Sequence, residues 1–547
     1  MIAFRQSQRL CLNVFLFKKN KTVFTFFKEK NTHFIKKGVF CIMASALELK
    51  NITKTFGQVI ANKNVSLSVN KGEILSILGE NGSGKTTLMN MISGIYYPDE
   101  GQIFIDDKEV VIRSPKDAFD YKIGMIHQHF KLVDVFTATE NIILGLENED
   151  KYDLKKSTKK VKEIAEKYGF LIDPEKKVYE MSVSEKQTVE IIRVLYRGAD
   201  ILILDEPTAV LTPQETEKLF SILRKMRDSG KAIIIITHKL HEVLSLSDKV
   251  SVLRKGEYIG TVNTSETNEK ELTEMMVGEK VDLNIKREEP KSDEIRLEVK
   301  DLSVKNADHT SCLENISFSV RAGEIFGIAG ISGSGQRELL ECCAGLIKAN
   351  SGDILYNDPK TNKVESLKSK TPVEIRALGV RLSFVPEDRL GMGLVGSMDI
   401  IDNMMLRSYK KGRTLFVKRK GPENLADEII KRLHVATPSA KTPVRILSGG
   451  NVQKVLVGRE IASSPTVLMA AYPVRGLDIN SSHTIYDLLN EQKEKGVAVI
   501  YVGEDLDVLL ELCDTIMVLS SGKISGILDA RSATKEQIGA LMTKKVD

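Results

Sequence analysis

The chain has 547 residues, of which 42% are hydrophobic and 28% charged, an ordinary globular composition that excludes a fibrous or wholly disordered protein. No stretch approaches the roughly 20 apolar residues that a membrane-spanning helix needs, so a transport role would require a pore formed by another chain. The formal net charge is +5, but residues 1–42 hold nine Lys or Arg against Glu29, and subtracting this +8 leaves −3. The near-neutral remainder argues against nucleic-acid binding driven by bulk charge.

Residues 1–43 form a basic extension rich in Phe and Asn. Its short apolar run over residues 10–17 is not followed by a small-residue cleavage site, so the pattern does not indicate a signal peptide. Two interpretations stay open. Translation could start at Met43, just before a predicted strand that begins at Ala46. Alternatively, the extension could be a basic-aromatic arm that touches anionic lipid.

An internal repeat organises the rest of the chain. Residues 47–105 return as residues 297–355, with Gly79 matching Gly330 at an offset of 251, and Ser182 matches Ser448 at an offset of 266. A charged, Pro-containing stretch over residues 284–294 separates the repeats and predicts an exposed linker. Each repeat alternates β-branched runs with helical patterns, which predicts α/β domains with largely parallel sheets over residues 44–283 (the first copy) and 295–547 (the second copy).

The first copy contains a complete phosphate-binding loop, residues 79–86, in the pattern G-x-x-x-x-G-K-T between a predicted strand and a predicted helix. Glycines let backbone N–H groups surround a phosphate, and the start of the helix adds a favourable field. Lys85 is expected to reach the β- and γ-phosphates, and the Thr86 hydroxyl is expected to bind Mg²⁺. The predicted nucleotide-binding residues here are Gly79, Glu80, Asn81, Gly82, Ser83, Gly84, Lys85, Thr86 and Thr87.

Farther along the first copy, the apolar run from Ile201 ends in Asp205, Glu206 and Pro207. A buried strand that places Asp205 beside the phosphate loop can hold Mg²⁺. Glu206 is then placed to polarise the attacking water, which makes it the predicted general base.

Residues 44–547 resemble the ABC ATPase family, with these motifs in the family's order. The resemblance implies two tandem P-loop ATPase domains of α/β fold that pack head to tail, each with a mostly parallel core sheet, an antiparallel subdomain and a helical signature subdomain. It identifies Gln128 as the glutamine that touches Mg²⁺ and senses the membrane partner, and His238 as the switch histidine that contacts the γ-phosphate. Phe56 resembles the aromatic residue that stacks on adenine, although a Phe there could equally belong to the core.

The second copy lacks these catalytic groups. Its loop has Gln336 in place of the lysine and Arg337 in place of the hydroxyl, and Ala471 and Tyr472 stand where both acids should be. Glu387 replaces the Mg²⁺-touching glutamine, and Glu504 replaces the switch histidine. We expect no ATP turnover at this loop.

The signature motif shows the opposite asymmetry. Ser448, Gly449, Gly450 and Asn451 follow the family's LSGGQ form closely, and they are predicted to bind the nucleotide of the other copy. The first copy instead has Val183 and Ser184 for glycines, and Glu185 brings negative charge toward the phosphate site. Because the family packs its domains head to tail, the intact loop would face the intact signature. One composite ATP·Mg²⁺ site would therefore keep every part.

The tandem arrangement and the PEDR and RGLD phrases of the second copy resemble ATPase subunits of bacterial nucleoside and monosaccharide importers, and residues 127–133 and 208–215 look more like the nucleoside branch. The resemblance implies two integral-membrane permease subunits, an extracytoplasmic substrate-binding protein and a peripheral place on the cytoplasmic face of a bacterial plasma membrane. The alternatives are a ribose- or galactose-type importer and, more distantly, a soluble tandem ABC protein acting on ribosomes or DNA. Such soluble proteins generally keep both sites intact, unlike this chain.

Overall fold

The structure is a computed structural model in which most of the chain beyond residue 44 is described. The described residues are 45–57, 59–127, 130–146, 153–209, 211–279, 285–290, 292–305, 310–331, 333–384, 389–406, 408, 418–462 and 464–544. The basic extension predicted over residues 1–43 lies outside them, as do the predicted metal ligand Gln128 and its counterpart Glu387.

Strands and helices alternate along the first copy. Its strands are β1 (Ser45–Phe56), β2 (Val59–Asn70), β3 (Ile74–Leu78), β4 (Glu100–Ile105), β5 (Lys108–Val110), β6 (Ile123–Ile126), β7 (Ile201–Asp205), β8 (Ala232–Thr237), β9 (Lys249–Arg254) and β10 (Glu257–Asn263). Its helices are α1 (Lys85–Ile92), α2 (Pro115–Asp120), α3 (Ala138–Ile143), α4 (Leu154–Tyr168), α5 (Val183–Tyr196), α6 (Pro213–Asp228), α7 (Leu240–Leu246) and α8 (Glu269–Val277).

The second copy repeats this order of elements. Its strands are β11 (Ile295–Lys305), β12 (Ser311–Arg321), β13 (Ile325–Gly330), β14 (Ser351–Asp358), β15 (Lys363–Ser366), β16 (Val380–Phe384), β17 (Val467–Ala471), β18 (Ala498–Val502), β19 (Thr515–Ser520) and β20 (Lys523–Asp529). Its helices are α9 (Gln336–Cys343), α10 (Pro372–Ala377), α11 (Ile400–Met405), α12 (Lys420–Arg432), α13 (Gly449–Ile461), α14 (Ile479–Glu494), α15 (Leu506–Leu512) and α16 (Lys535–Thr543).

A parallel core sheet brings the predicted functional segments of the first copy to one edge. Strands β6, β7, β8, β3 and β9 lie side by side and parallel. The register pairs Leu78 with Thr237 and Asp205 with Ile236. The carboxyl ends of β3, β7 and β8 therefore meet, and ligands of open α/β sheets bind outside such ends. The phosphate loop follows β3, Glu206 follows β7 and His238 follows β8.

An antiparallel sheet flanks the core of each copy. In the first copy β5, β4, β1 and β2 are antiparallel neighbours, and a single parallel pair, Glu257 with Lys63, joins them to the core sheet. The same two side chains form an ion pair of 3.0 Å. In the second copy, β12, β11, β14 and β15 form a sheet separate from the six-stranded core sheet. The predicted α/β fold with its mostly parallel core and antiparallel sheet is confirmed.

A helical layer packs over one face of each core sheet. In the first copy it includes α3, α4 and α5, whose apolar residues join one cluster with α6, β7 and β8. In the second copy α11, α12 and α13 do the same with β17 and β18. The signature segments open α5 and α13, where Ser182 and Ser448 are the N-cap residues and each hydroxyl accepts a hydrogen bond from the helix backbone.

Aligned residues of the two copies meet where the copies pack together. His241 and Asp507, which are equivalent at the offset of 266, lie 4.0 Å apart. The amide of Asn480, at the start of α14, donates to Glu279 of the first copy at 2.9 Å. Its counterpart Gln214, at the start of α6, donates to the backbone oxygen of Glu536 in the second copy at 3.1 Å. The start of α6 therefore contacts the second copy and the equivalent start of α14 contacts the first copy, as head-to-tail packing requires.

The segment between the copies is exposed along much of its described length, as its sequence predicts, and it is also anchored on the second copy. The Arg287 guanidinium donates to the carbonyl oxygens of Leu510 and Cys513 at 2.8 and 2.7 Å. These carbonyls lie at the end of α15, where a helix leaves its last carbonyls without internal partners. Asn490 of α14 also donates to the Lys286 carbonyl oxygen at 2.6 Å. These contacts fix the described part of the segment in place.

Within the described residues, no helix combines the length and the apolar character needed to cross a membrane.

Candidate functional site

The phosphate loop of the first copy has the backbone that its sequence predicts. It follows the fully buried strand β3, and α1 begins at Lys85 with Gly84 as its N-cap. Gly82 and Gly84 have φ angles of 82° and 97°, a left-handed region that glycine tolerates best. A Cβ on Gly84 would lie 2.4 Å from the backbone oxygen of Ala61, so another residue would not fit there without rearrangement. Asn81 and Gly82 are exposed at the tip of the loop.

The side chain of Lys85 turns back over this loop. It is 6% exposed, and its ammonium donates to the backbone oxygens of Gly79 and Glu80 at 2.5 and 2.9 Å. Burial lowers the pKa of Lys85, while the carboxylates of Glu206 and Asp205 act in the opposite direction. The loop therefore holds a buried positive charge whose direct partners are neutral carbonyls. Such a charge favours an anion at the loop.

Asp205 and Glu206 form a pair of adjacent carboxylates at the end of β7. Burial and the neighbouring Glu206 raise the pKa of Asp205 to about 6, although Lys85 acts against this rise. Glu206 has a left-handed backbone with φ +46°, and its N–H donates to the Ile236 carbonyl at 2.9 Å. A non-glycine residue in this region costs about 1–3 kcal/mol, which the surrounding structure must offset.

His238 lies beside Glu206. Its Nδ1 is 3.0 Å from Oε1 of Glu206, and the imidazole is about half exposed. Burial acts to raise the pKa of Glu206, but the hydrogen bond with His238 and the nearby positive charges bring that pKa below its usual value. Glu206 is thus a carboxylate at neutral pH, which is the protonation state a general base needs.

The residues of this site fit a nucleotide phosphate with a divalent cation. The Ser83 hydroxyl is buried and has no hydrogen-bond partner among the described residues, as expected for a group that awaits a ligand. Burial, and next the neighbouring Glu206, raise the pKa of Asp205, so a cation bound beside this pair would favour its charged form. Thr86 lies exposed in the first turn of α1, and Thr87 is half-buried next to it. Oxygen ligands of this kind are those that Mg²⁺ prefers.

Phe56 does not belong to the core. It is 44% exposed at the end of β1, and its ring meets that of Tyr96 edge to face with centroids 5.2 Å apart. The ammonium of Lys54 lies 5.6 Å from the centroid of the same ring. An exposed aromatic face in the copy that carries the intact phosphate loop suits stacking on a base. Tyr96 was missed by the sequence reasoning, although the exposed aromatic pair after Gly94 could have signalled it.

Asn62 is a second residue that sequence reasoning missed. It is fully buried in β2, and its Nδ2 donates to the backbone oxygen of Gly84 at 3.2 Å. Its Oδ1 is buried without a hydrogen-bond partner among the described residues. The second copy has Leu313 at this position. Because Lys63 and Asn64 follow it, the pattern of the strand did not single Asn62 out; the apolar residue at the aligned position was the available signal.

The loop of the second copy keeps the backbone shape and loses the charge. Gly335 has φ 102°, close to that of Gly84. Gln336 is buried like Lys85, and its amide donates to the Ile331 backbone oxygen at 3.2 Å. Arg337 forms an ion pair of 2.7 Å with Glu341 along α9. The positive charge of this loop therefore sits on the helix surface instead of under the loop.

The strand end of the second copy repeats the geometry of Glu206 with different chemistry. Tyr472 has φ +49° and its N–H donates to the Val502 carbonyl at 2.7 Å. Its ring packs against the apolar core of the second copy. Glu504, at the position of His238, lies 3.5 Å from the guanidinium of Arg475. This strand end therefore offers neither a carboxylate pair nor an imidazole.

The two signature segments differ in how their first helical turn is capped. Glu185 accepts from the Ser182 N–H at 2.7 Å and forms an ion pair of 2.8 Å with Lys176. The negative charge predicted to face the phosphate site is therefore engaged within the first copy's own helix cap. In the second copy, Asn451 donates through Nδ2 to the Ser448 hydroxyl at 2.9 Å and brings no charge.

Each signature helix is joined to the strand end of its own copy. Gln187 of α5 donates to the Pro207 carbonyl at 2.7 Å, and Gln453 of α13 donates to the Pro473 carbonyl at 3.0 Å. The structure thus brings Lys85, Asp205, Glu206 and His238 together, while Ser448 lies exposed at the start of α13 in the other copy. The assignment of nucleotide and metal contacts to these residues stays a prediction.

Comparison with known proteins gives consistent matches over both copies. A family model described as ABC transporter matches residues 62–209 and 313–473. The nucleoside import ATP-binding protein NupA of Lactococcus lactis is 40% identical over 504 residues, covering 91% of this chain and 98% of the relative. The guanosine import ATP-binding protein NupO of Bacillus subtilis is 41% identical over 505 residues, with the same coverage. The ribose import ATP-binding protein RbsA of Clostridium tetani is 39% identical over 498 residues, covering 90% and 96%.

Proposed function

The chain belongs to the ABC transporter family, and from this membership we propose that it is the ATP-hydrolysing subunit of a nucleoside importer with a single competent ATP site. The observation that carries the proposal is the asymmetry between the copies. Lys85, Glu206 and His238 converge in the first copy, whereas Gln336, Tyr472 and Glu504 take their places in the second.

The proposed catalytic residues are Lys85, Glu206 and His238. Lys85 leaves its backbone carbonyls to hold the β- and γ-phosphates of ATP, aided by the N–H groups of the loop. Glu206 accepts the proton of the attacking water, and His238 orients the Glu206 carboxylate and contacts the γ-phosphate. Thr86, Gln128 and Asp205 are the proposed Mg²⁺ ligands; Mg²⁺ supplies neutralisation of the negative charge on the phosphate oxygens.

The proposed site is completed from the second copy by Ser448, Gly449, Gly450 and Asn451. These residues open α13, so the helix start and the Ser448 hydroxyl offer donors to a γ-phosphate. ATP bound to both copies favours the closed arrangement, and loss of the γ-phosphate contacts after hydrolysis reopens it. In this mechanism, closure acts on two integral-membrane permease subunits, which receive their substrate from an extracytoplasmic binding protein.

The proposed domain boundaries are 44–283 and 295–547, joined by residues 284–294. They are supported by the starts of β1 at Ser45 and β11 at Ile295. The chain is proposed to work on the cytoplasmic face of the membrane, bound through the permeases. The proposal includes no nucleic-acid partner.

The proposed substrate class is supported by the relatives. Two of them are named for nucleoside or guanosine import, at 40% and 41% identity. A ribose-type importer is the alternative, because the relative named for ribose import is 39% identical, nearly the same value. The chain itself would not contact either substrate, since the binding protein and the permeases recognise it.

The deciding experiment is uptake of labelled nucleosides and of ribose or galactose by cells that carry the native chain or Glu206→Gln. Glutamine keeps the size of the side chain but cannot accept the proton, so nucleoside uptake is expected to be lost while ATP still binds. The matched control is Tyr472→Phe, at the equivalent position of the second copy, and it is expected to support normal uptake. Loss of sugar uptake alone would support the ribose-type importer instead of the nucleoside importer. Unchanged uptake of both substrates would contradict the proposal that the chain powers an importer.

A further inference from the structure

Near the phosphate loop, a side chain of the first copy meets the backbone of the second. The carboxylate of Glu80, the second residue of the loop, accepts a hydrogen bond from the Ile479 N–H at 3.3 Å across 399 residues of sequence. Ile479 is the first residue of α14, after the N-cap Asp478. The first N–H groups of a helix have no partner within it, so a carboxylate from outside can satisfy one.

The Ile479 end of α14 is anchored on the first copy by more than this hydrogen bond. The Ile479 side chain packs against an apolar cluster that includes Leu78 of β3 and Val243 of α7. The next residue, Asn480, donates to Glu279 at 2.9 Å. Because Leu78 directly precedes the phosphate loop, the start of α14 contacts the loop both through its base and through Glu80.

The same segment of the second copy supports the signature helix. Gln453 of α13 donates to the Pro473 carbonyl at 3.0 Å, and α14 begins shortly after Pro473 at Ile479. Ser448 lies at the other end of this connection as the N-cap of α13. The contact of Glu80 with Ile479 is therefore the point at which the intact loop touches the support of the intact signature.

The pseudo-symmetric positions cannot form this contact. Ile331 stands in the second copy where the first has Glu80, and it has no side-chain acceptor. Pro213 stands at the start of α6 where α14 has Ile479, and proline has no N–H to donate. Acceptor and donor are thus both present beside the competent loop and both missing beside the other. The acceptor and the donor are thus lost together at the aligned positions, and a contact without function would not require both losses.

We propose that Glu80 is a positioning residue that holds the second copy against the phosphate loop of the first, and thereby places Ser448 for the ATP bound there. Its backbone belongs to the predicted nucleotide-binding loop, but its side chain acts through the Ile479 N–H and not by touching the γ-phosphate. Without this contact, ATP must close the site unaided, so more ATP is needed to reach the same closed population. Once the site is saturated, hydrolysis proceeds at close to the native rate.

The experiment compares Ile479→Pro with Ile479→Ala in the full chain. Both remove the apolar side chain, but only proline removes the N–H, and proline is well tolerated at the first position of a helix. We expect the KM for ATP to be about five- to tenfold higher in Ile479→Pro than in Ile479→Ala, which corresponds to about 1–1.4 kcal/mol, with kcat within about twofold. In a Glu80→Ala background the two variants should have equal KM values.

A second measurement reads the hydrogen bond directly. Hydrogen exchange of the Ile479 amide is expected to become at least about fivefold faster in Glu80→Ala, since a first-turn amide lacks an internal partner. Asn480→Ala is the control, because it breaks a neighbouring contact between the copies without removing the Glu80 carboxylate, and it should leave this exchange rate unchanged.

The inference rests on the proposed composite site, and the outcomes separate the two. Native hydrolysis that persists in Glu206→Gln would contradict the proposed function. Equal KM values for Ile479→Pro and Ile479→Ala with Glu80 present, or unchanged exchange in Glu80→Ala, would contradict the positioning role alone.

Discussion

Asp514→Asn is expected to destabilise the second copy far more than the equivalent change, Asp248→Asn, destabilises the first. Asp514 lies 2.7 Å from the ammonium of Lys493, with both side chains less than 5% exposed. Asp248 lies 3.1 Å from Arg227, and these side chains are 40% and 27% exposed. The segment between the copies contributes to this difference, because the Glu288 carbonyl accepts a hydrogen bond from Lys493.

The magnitude follows from burial. Breaking a buried ion pair costs about 3–5 kcal/mol because it leaves an uncompensated charge, whereas an exposed pair contributes about 0–1 kcal/mol. Each aspartate also accepts from a strand N–H, Ile325 at 2.9 Å and Ile74 at 2.8 Å, so these two contacts cancel in the comparison. Asp514 has a second cation, Arg531 at 3.5 Å, which adds to the expected difference. Asparagine keeps an acceptor for that N–H, so the difference isolates the charge.

Native-state hydrogen exchange provides the assay. Amides of β13 should exchange roughly 100- to 4000-fold faster in Asp514→Asn, which is the range that 3–5 kcal/mol predicts. Amides of β3 should exchange about fivefold faster or less in Asp248→Asn. Equal acceleration in the two strands would refute the reasoning, because it would mean that burial of Lys493 does not set the cost.

Two further predictions concern the phosphate loops. Lys85→Ala should reduce ATP hydrolysis by the purified full chain by about 100-fold or more. Gln336→Ala, at the same buried position of the second copy, should leave the rate within about twofold of the native rate. Similar losses in both variants would contradict the one-site mechanism. Asn62→Leu should keep or slightly raise the melting temperature. The change loses the hydrogen bond to Gly84, which contributes about 0.5–1.5 kcal/mol. It also removes a buried oxygen without a described hydrogen-bond partner, which costs about 1–3 kcal/mol. A loss above about 2 kcal/mol in a thermal melt would count against this account.

Much of the candidate site could be predicted because its parts are contiguous in sequence. The phosphate loop is one run of residues between β3 and α1, and its glycines have the φ angles that the motif implies. Asp205 and His238 each directly follow or end an apolar strand, and parallel strands bring such ends together by register. The asymmetry of the copies could also be predicted from the sequence, since it consists of substitutions at aligned positions.

Other features depended on partners that are distant in sequence. Glu185 was expected to bring charge toward the phosphate site, but Lys176 and the helix cap engage it. Phe56 left two alternatives open, and only its 44% exposure beside Tyr96 excludes the core. The charged segment between the copies is largely exposed, as predicted, but the sequence did not indicate that Arg287 binds carbonyl oxygens more than 200 residues away. Charge and composition alone do not specify such partners.

The sequence by itself determined the two copies, the α/β fold, the phosphate loop and the residues that the second copy lacks, because each depends on local pattern or on aligned identity. Only the tertiary structure decided that Lys85 rests on the carbonyls of its own loop, and that Glu80 meets the Ile479 N–H. The physical reason is that a free donor at a helix start or a buried charge takes whichever group packing brings near. For Glu80 that group is fixed by how the two copies pack, and no local pattern records it.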